Sequence, residues 1–236
     1  NIACVIMEVF RNIETQINFL KHVRNVCNKK NIILIFDECT TGFRETYGGL
    51  YKKYKVVPDM VIFGKAIGNG YPITAVLGKD TIMKSSVNTF LSSTFWSDRI
   101  GPTAAIATLN LMKKTNSWKI VNKIGKQVKY RWKTLFEKYS IKANVWGLNA
   151  IIGFNFESKN NLKYKTFISQ ELLKKKILAS NVLYVSITHE QKEIDRYFYE
   201  FEKVLSKIQL FEQNELIKID KFINNKTANQ SFKRLN

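Results

Sequence analysis

The sequence predicts an α/β domain followed by a smaller α+β unit. Short apolar runs alternate with helical patterns over the first 80 residues, as in a layered α/β domain. The run at residues 32–36 is continuous and rich in branched side chains, which is typical of a central parallel strand covered on both faces. Since 45% of the 236 residues are hydrophobic and 13% are aromatic, the chain can bury a substantial core.

The elements of the first domain follow from the spacing of their apolar residues. Strands are predicted at residues 3–7, 32–36, 61–63 and 73–77, and helices at residues 19–27, 103–114 and 121–139. Pro102 suits the first turn of the second of these helices. We therefore assign residues 1–139 to the first domain.

The second unit begins where the pattern changes, near residue 140. Strands are predicted at residues 150–156 and 182–187, and helices at residues 167–179 and 194–207. We assign residues 140–212 to this small α+β domain and expect the polar, asparagine-rich residues 213–236 to form a poorly ordered tail. The chain starts at Asn1 inside a strand pattern, so we expect sequence upstream of it.

Lys65 and Asp37 are the residues that point to a chemistry. Lys65 follows the apolar run 60–63, and Asp37 ends the run 32–36, 28 residues before the lysine. The carboxyl ends of parallel strands are where ligands bind in open α/β sheets. A lysine and an aspartate at such an edge are what pyridoxal phosphate (PLP) requires, one for a Schiff base and one for the pyridinium nitrogen. Taken singly, an exposed loop lysine and an aspartate that caps a turn remain the alternatives.

The composition bounds other classes of function. The formal net charge is +19, yet the lysines are spread along the chain without a zinc-finger or RNA-binding motif, so we do not expect nucleic-acid binding. No uncharged apolar run reaches eighteen residues, so no membrane span is predicted. Cys4, Cys27 and Cys39 lack metal-ligand spacing, which predicts reduced thiols in a cytoplasmic protein and no metal site.

Four motifs, in this order and spacing, resemble one family. They are Phe36-Asp37-Glu38-Cys39-Thr40-Thr41-Gly42-Phe43-Arg44, Pro58-Asp59, Gly64-Lys65-Ala66-Ile67-Gly68-Asn69-Gly70-Tyr71-Pro72 and Ser92-Ser93-Thr94-Phe95. Through about residue 210 the chain resembles the C-terminal portion of a class-III PLP-dependent aminotransferase, closest to the glutamate-1-semialdehyde aminomutase-like group. The resemblance implies fold type I of the PLP-dependent transferases, with part of the large parallel-sheet domain followed by a small C-terminal α+β domain.

The resemblance also implies roles for four residues. Asp37 would pair with the pyridine nitrogen, and Lys65 would form the aldimine and then act as general base and acid. Cys39 falls where the family usually has a valine against the cofactor ring. Thr94 matches the threonine that reaches the cofactor phosphate of the neighbouring subunit, which implies a homodimer with the active site at its interface.

The implied activity is the transfer of an amino group from a small-molecule donor to a carbonyl acceptor. The alternative within the enzyme class is a glutamate-1-semialdehyde 2,1-aminomutase. However, residues 93–102 depart from the Gly-Thr-x-x-Gly-Asn-Pro-like stretch usual in aminomutases, which favours a transaminase. The alternative of another class is a truncated, non-catalytic remnant or dimer partner, because the family's N-terminal half supplies much of the active site.

Overall fold

The computed structural model describes residues 2–10, 16–92, 94–95, 97–214, 217–224 and 226–228. The chain divides into two compact units, Asn1–Val121 and Asn122–Asn236. Among the described residues, no helix is both long enough and apolar enough to cross a membrane.

The first unit is built on a four-stranded sheet in the order β1-β2-β3-β4. Its strands are β1 (Cys4–Glu8), β2 (Ile33–Asp37), β3 (Met60–Phe63) and β4 (Ala75–Gly78). The first three strands are parallel, and β4 pairs with β3 in the antiparallel direction. Leu34 and Phe36 of β2 are fully buried, as expected for an inner strand of a parallel sheet. All four predicted strands are therefore confirmed, with ends that differ by one or two residues.

The helices of the first unit lie between and after the strands. They are α1 (Ile17–Lys30), α2 (Tyr51–Tyr54), α3 (Asp80–Met83), α4 (Ile100–Thr115) and the start of α5 (Ser117–Lys138). Helix α1 forms the crossover between two parallel strands and buries Leu20 and Cys27. Its C-cap is Asn31, whose left-handed backbone lets the Asn31 amide donate a hydrogen bond to the Asn28 carbonyl oxygen in the last turn.

Asp59, just before β3, connects several of these elements. Its carboxylate accepts hydrogen bonds from the Leu34 amide, the Arg24 guanidinium and the Lys79 ammonium, at 2.8, 2.8 and 2.6 Å. Burial alone would raise the pKa of Asp59, but these three donors outweigh it and lower the pKa to about 2. The ionised carboxylate therefore joins α1, β2 and the end of β4.

The second unit is an antiparallel sheet covered by helices. Its strands are β5 (Ala143–Gly147), β6 (Ile151–Phe156) and β7 (Val182–Tyr184), and its helices are α6 (Asn161–Leu173), α7 (Gln191–Gln213) and most of α5. Strand β6 is central, between β5 and β7. The sequence pattern predicted β6, β7 and α7 but not β5, an edge strand in which asparagine and glycine interrupt the apolar residues.

Helix α6 begins and ends six residues earlier than predicted. Lys176 adopts a left-handed backbone with φ of 59°, and the Ile177 amide donates to the Leu172 carbonyl oxygen, which closes the helix end. A lysine rarely takes the position that glycine prefers there, so the sequence carries no stop signal.

The division between the units lies within α5, whereas the sequence predicted a boundary after residue 139. The physical reason is aromatic packing: the rings of Trp132 and Phe136 contact Phe154 of β6, with centroids 4.9 and 5.2 Å apart. Part of the expected poorly ordered tail also packs. Ile219 is buried, and the ring centroids of Phe222 and Phe211, the latter in α7, are 5.1 Å apart.

Candidate active site

The candidate site lies where three parallel strands end. Strand β1 ends at Glu8 and β2 at Asp37, and these two residues are paired in the sheet register. Asp37 is also paired with Ile62 of β3, and Lys65 follows Ile62 by three residues. The aspartate and the lysine predicted from the sequence therefore lie at the same carboxyl edge of the sheet, where ligands bind in this architecture.

Asp37 is half-buried and organises the start of the loop that follows it. The Cys39 amide donates to Oδ1 of Asp37 at 3.0 Å. Burial raises the pKa of the Cys39 thiol, and the Asp37 charge raises it further. A carboxylate with a neutral thiol beside it is therefore presented at the edge.

Cys39 lies against the backbone of Gly64, directly before the lysine. A Cβ atom at Gly64 would be 3.2 Å from the Cys39 sulfur, which is tighter than ordinary van der Waals contact. The glycine therefore lets the β2 loop and the β3 loop approach each other closely.

Lys65 has a backbone conformation that is uncommon for a residue with a side chain. Its φ is 47°, and its carbonyl oxygen accepts hydrogen bonds from the amides of Gly68 and Asn69 at 3.1 and 3.0 Å. These bonds close the short 3₁₀ turn Lys65–Ile67. The side chain is exposed, and its Nζ donates to the hydroxyl oxygen of Thr40 at 2.9 Å.

Gly68 makes the lysine turn sterically possible. A Cβ atom there would lie 2.2 Å from the Tyr71 carbonyl oxygen and 2.7 Å from the Ile73 side chain. The structure shows that at Gly68 the approaching atoms belong to the chain itself.

The loop after Asp37 is held by the buried carboxylate of Glu38. It accepts hydrogen bonds from the Thr41 hydroxyl group at 2.8 Å and from the amides of Leu50 and Tyr51 at 2.7 and 2.8 Å. Burial raises the pKa of Glu38 despite these donors. The Glu38 side chain thus connects the start of the loop, at Thr41, to its end, at Leu50 and Tyr51. This is a structural role.

Thr94 does not join this cluster within the described part of the chain. It lies in an exposed turn, and no hydrogen bond between described residues connects it to Asp37, Cys39 or Lys65. Its expected role in a neighbouring subunit stays a prediction.

Sequence reasoning missed two residues of this edge, Thr40 and Glu8. Thr40 lies within the motif that starts at Phe36, three residues beyond Asp37, but the resemblance implied no role for it. Glu8 ends a predicted strand, and parallel pairing with β2 would have placed it beside Asp37. Within the described ranges, no group of three or more histidine, cysteine or acidic residues is arranged to hold a metal ion.

The fold is that of the PLP-dependent transaminases. The Sphingopyxis sp. MTA144 FumI protein superimposes with a TM-score of 0.84 at 19% identity, over 91% of this chain and 54% of that chain. The ornithine δ-aminotransferase of Plasmodium falciparum gives a TM-score of 0.78 at 21% identity, over 89% of this chain and 58% of that chain. These likenesses confirm the predicted fold class.

Sequence comparison defines the family. The aminotransferase class-III profile matches residues 1–205, and the chain belongs to this family. A glutamate-1-semialdehyde 2,1-aminomutase of Thermodesulfovibrio yellowstonii is 32% identical, over 88% of this chain and 54% of that protein. A 3-aminobutyryl-CoA aminotransferase of Cloacimonas acidaminovorans is 35% identical, over 55% of this chain and 31% of that protein. The chain thus spans about half or less of the length of these relatives.

Proposed function

We propose that the chain forms part of a PLP-dependent aminotransferase that moves an amino group between a small-molecule donor and a carbonyl acceptor. The observation that carries the proposal is that Asp37 and Lys65 lie at the same edge, at the ends of neighbouring parallel strands. Membership of the class-III family supports it.

The side chains at this edge fit the cofactor. The Asp37 carboxylate and the side chains of Cys39 and Thr40 lie at the end of β2 and in the loop after it. The Lys65 amine lies on the neighbouring loop after β3, where Gly64 leaves the backbone without a Cβ atom. Pyridoxal phosphate, when bound, supplies the electron sink that stabilises a carbanion next to nitrogen. Asp37 would pair with the protonated ring nitrogen, and Cys39 would lie beside the ring.

Lys65 would hold the cofactor covalently and carry the proton. Displaced by the substrate amine, its Nζ would take a proton from the substrate carbon that bears nitrogen and deliver it to the C4′ carbon of the cofactor, so that the amino group stays on the cofactor. The hydrogen bonds from the Gly68 and Asn69 amides to the Lys65 carbonyl oxygen fix the lysine backbone while the amine moves. The chain's own contribution is therefore covalent attachment, a paired charge and a mobile base.

Thr94 suggests a homodimer. Its exposed hydroxyl group can donate to a phosphate oxygen without adding charge, and its exposure agrees with a ligand outside its own unit. We propose that it reaches the cofactor phosphate in the neighbouring subunit.

A cytoplasmic location is proposed from the free state of Cys4, Cys27 and Cys39.

Covalent trapping of the cofactor tests the role of Lys65, in the natural polypeptide that contains these 236 residues. Incubation with pyridoxal phosphate and reduction with borohydride should fix the cofactor on Lys65, as measured by peptide mass spectrometry. Lys65→Ala should lose the label, whereas Lys84→Ala, which removes an exposed ion pair with Asp80, should keep it. A label that persists in Lys65→Ala would refute the assignment of the lysine, and a protein that takes up no cofactor would favour the non-catalytic remnant.

A second candidate reaction is suggested by the relatives. Several of them are glutamate-1-semialdehyde 2,1-aminomutases, including the one aligned over 88% of this chain. An aminotransferase requires an external amino donor in every cycle, whereas an aminomutase turns over its single substrate without one. Turnover of glutamate-1-semialdehyde with no added donor would therefore replace the transaminase proposal by the aminomutase.

A further inference from the structure

We propose that Thr40 is a positioning residue for Lys65, with a hydroxyl group that keeps the free amine at the carboxyl edge of the sheet. The inference rests on the proposed function and gives Thr40 a role that the family resemblance did not imply. Its starting observation is the 2.9 Å hydrogen bond from Nζ of Lys65 to Oγ1 of Thr40. These two residues are 25 positions apart and belong to loops after different strands.

The backbone of Thr40 is held independently of its hydroxyl group. Its carbonyl oxygen accepts a hydrogen bond from Nε of Arg44 at 2.6 Å. On its N-terminal side, the Cys39 amide is bound to Asp37. On its C-terminal side, Thr41 donates to the buried Glu38. The hydroxyl group is thus presented from a fixed loop and can direct the lysine without supporting the loop itself.

The chemistry of a hydroxyl group suits a lysine that changes its protonation state. Oγ1 accepts a hydrogen bond from the ammonium, and the same hydroxyl can donate to the lone pair of the neutral amine. A carboxylate in this position would interact mainly with the charged form. Thr40 can therefore hold the amine both before and after proton transfer.

Lys65 benefits from such a partner because its side chain is exposed and flexible. Four rotatable bonds separate its amine from the backbone. The 3₁₀ turn restrains the backbone of the lysine but not the end of its side chain. A second point of attachment keeps the amine at the carboxyl edge of the sheet.

The experiment compares Thr40→Val, which keeps the branched shape, with Thr40→Ser, which keeps the hydroxyl group. Thr46→Val is the matched control, because the Thr46 hydroxyl group donates to the carbonyl oxygens of Gly48 and Gly49 in the same loop region. All variants are made in the natural polypeptide that contains this chain. Thermal unfolding checks that each variant is folded.

The first measurement uses no cofactor. Acetylation of each lysine by N-hydroxysuccinimidyl acetate is followed by peptide mass spectrometry. A bound amine must leave its partner before it attacks, so in Thr40→Val the rate at Lys65 should rise about threefold to tenfold relative to the other lysines. This range corresponds to one hydrogen bond of a charged donor, reduced by solvent exposure. Thr40→Ser and Thr46→Val should match the wild type.

The second measurement is borohydride trapping at limiting pyridoxal phosphate, where the label on Lys65 should fall by a similar factor in Thr40→Val. Opposite changes in the two measurements distinguish positioning from a general loosening, which would raise the acetylation of many lysines. Equal results for Thr40→Val and wild type, equal effects of Thr46→Val, or no rescue by Thr40→Ser would each overturn the role of Thr40. Wild-type protein labelled away from Lys65 would refute the proposed function and the positioning role together.

Discussion

Replacement of Asp59 by asparagine tests how the first unit is held together. The carboxylate is 9% exposed and receives three donors, including two cations. Its pKa falls from 3.8 to about 2, and each unit of pKa corresponds to about 1.4 kcal/mol, so the ionised group contributes roughly 2 kcal/mol to the free energy of unfolding at pH 7. Asp59→Asn should lower the stability by about that amount.

The pH dependence gives this prediction its sign. Because the pKa is lower in the folded state, the stabilisation is complete above pH 3.8 and is lost as the pH falls through about 2. By pH 3, roughly half of it should be gone. The difference in free energy of unfolding between wild type and Asp59→Asn should therefore shrink as the solution is acidified.

Urea denaturation at several pH values between 7 and 3 measures this difference. The matched control is Asp80→Asn, since Asp80 is 76% exposed in its ion pair with Lys84 and should change stability by less than about 1 kcal/mol. A difference for Asp59→Asn that stays constant from pH 7 to pH 3 would refute the assignment of the stabilisation to the ionised carboxylate.

Two further predictions concern the candidate site. Gly68→Ala should destabilise the lysine turn, because the added Cβ would lie 2.2 Å from the Tyr71 carbonyl oxygen; borohydride trapping should show less cofactor on Lys65. Unchanged trapping and unfolding would show that the turn shifts without cost. Cys39 should react more slowly with iodoacetamide at pH 8 than an unperturbed thiol, because burial raises its pKa, and the rate should increase as the pH is raised. Peptide mass spectrometry measures this rate, and alkylation of Cys39 as fast as that of a model thiol would contradict the expected shift.

Much of the first unit was predictable because its signals are local. The branched run that became β2 and the apolar runs of β1 and β3 are short, continuous and bounded by polar or glycine-rich segments, so strand position follows from the residues themselves. Asp37 and Lys65 were predicted as site residues for the same reason: Asp37 directly follows such a run, and only Gly64 separates Lys65 from another. Parallel pairing then places both at one edge.

The second unit was predicted less well because its signals depend on packing. Strand β5 has little periodicity and is defined by pairing with β6. The end of α6 depends on a left-handed Lys176, which propensity does not favour. The division within α5 depends on which aromatic rings its second part meets.

By itself, the sequence determined the layered α/β class and the strands of the parallel sheet, and it predicted Asp37 and Lys65 as candidate site residues. Residue type and short-range spacing are enough for these features. Only the tertiary structure placed the Thr40 hydroxyl group on the lysine amine and Glu8 next to Asp37. Contacts of this kind join segments far apart in the chain, and they arise only after strand register and loop closure have brought those segments together.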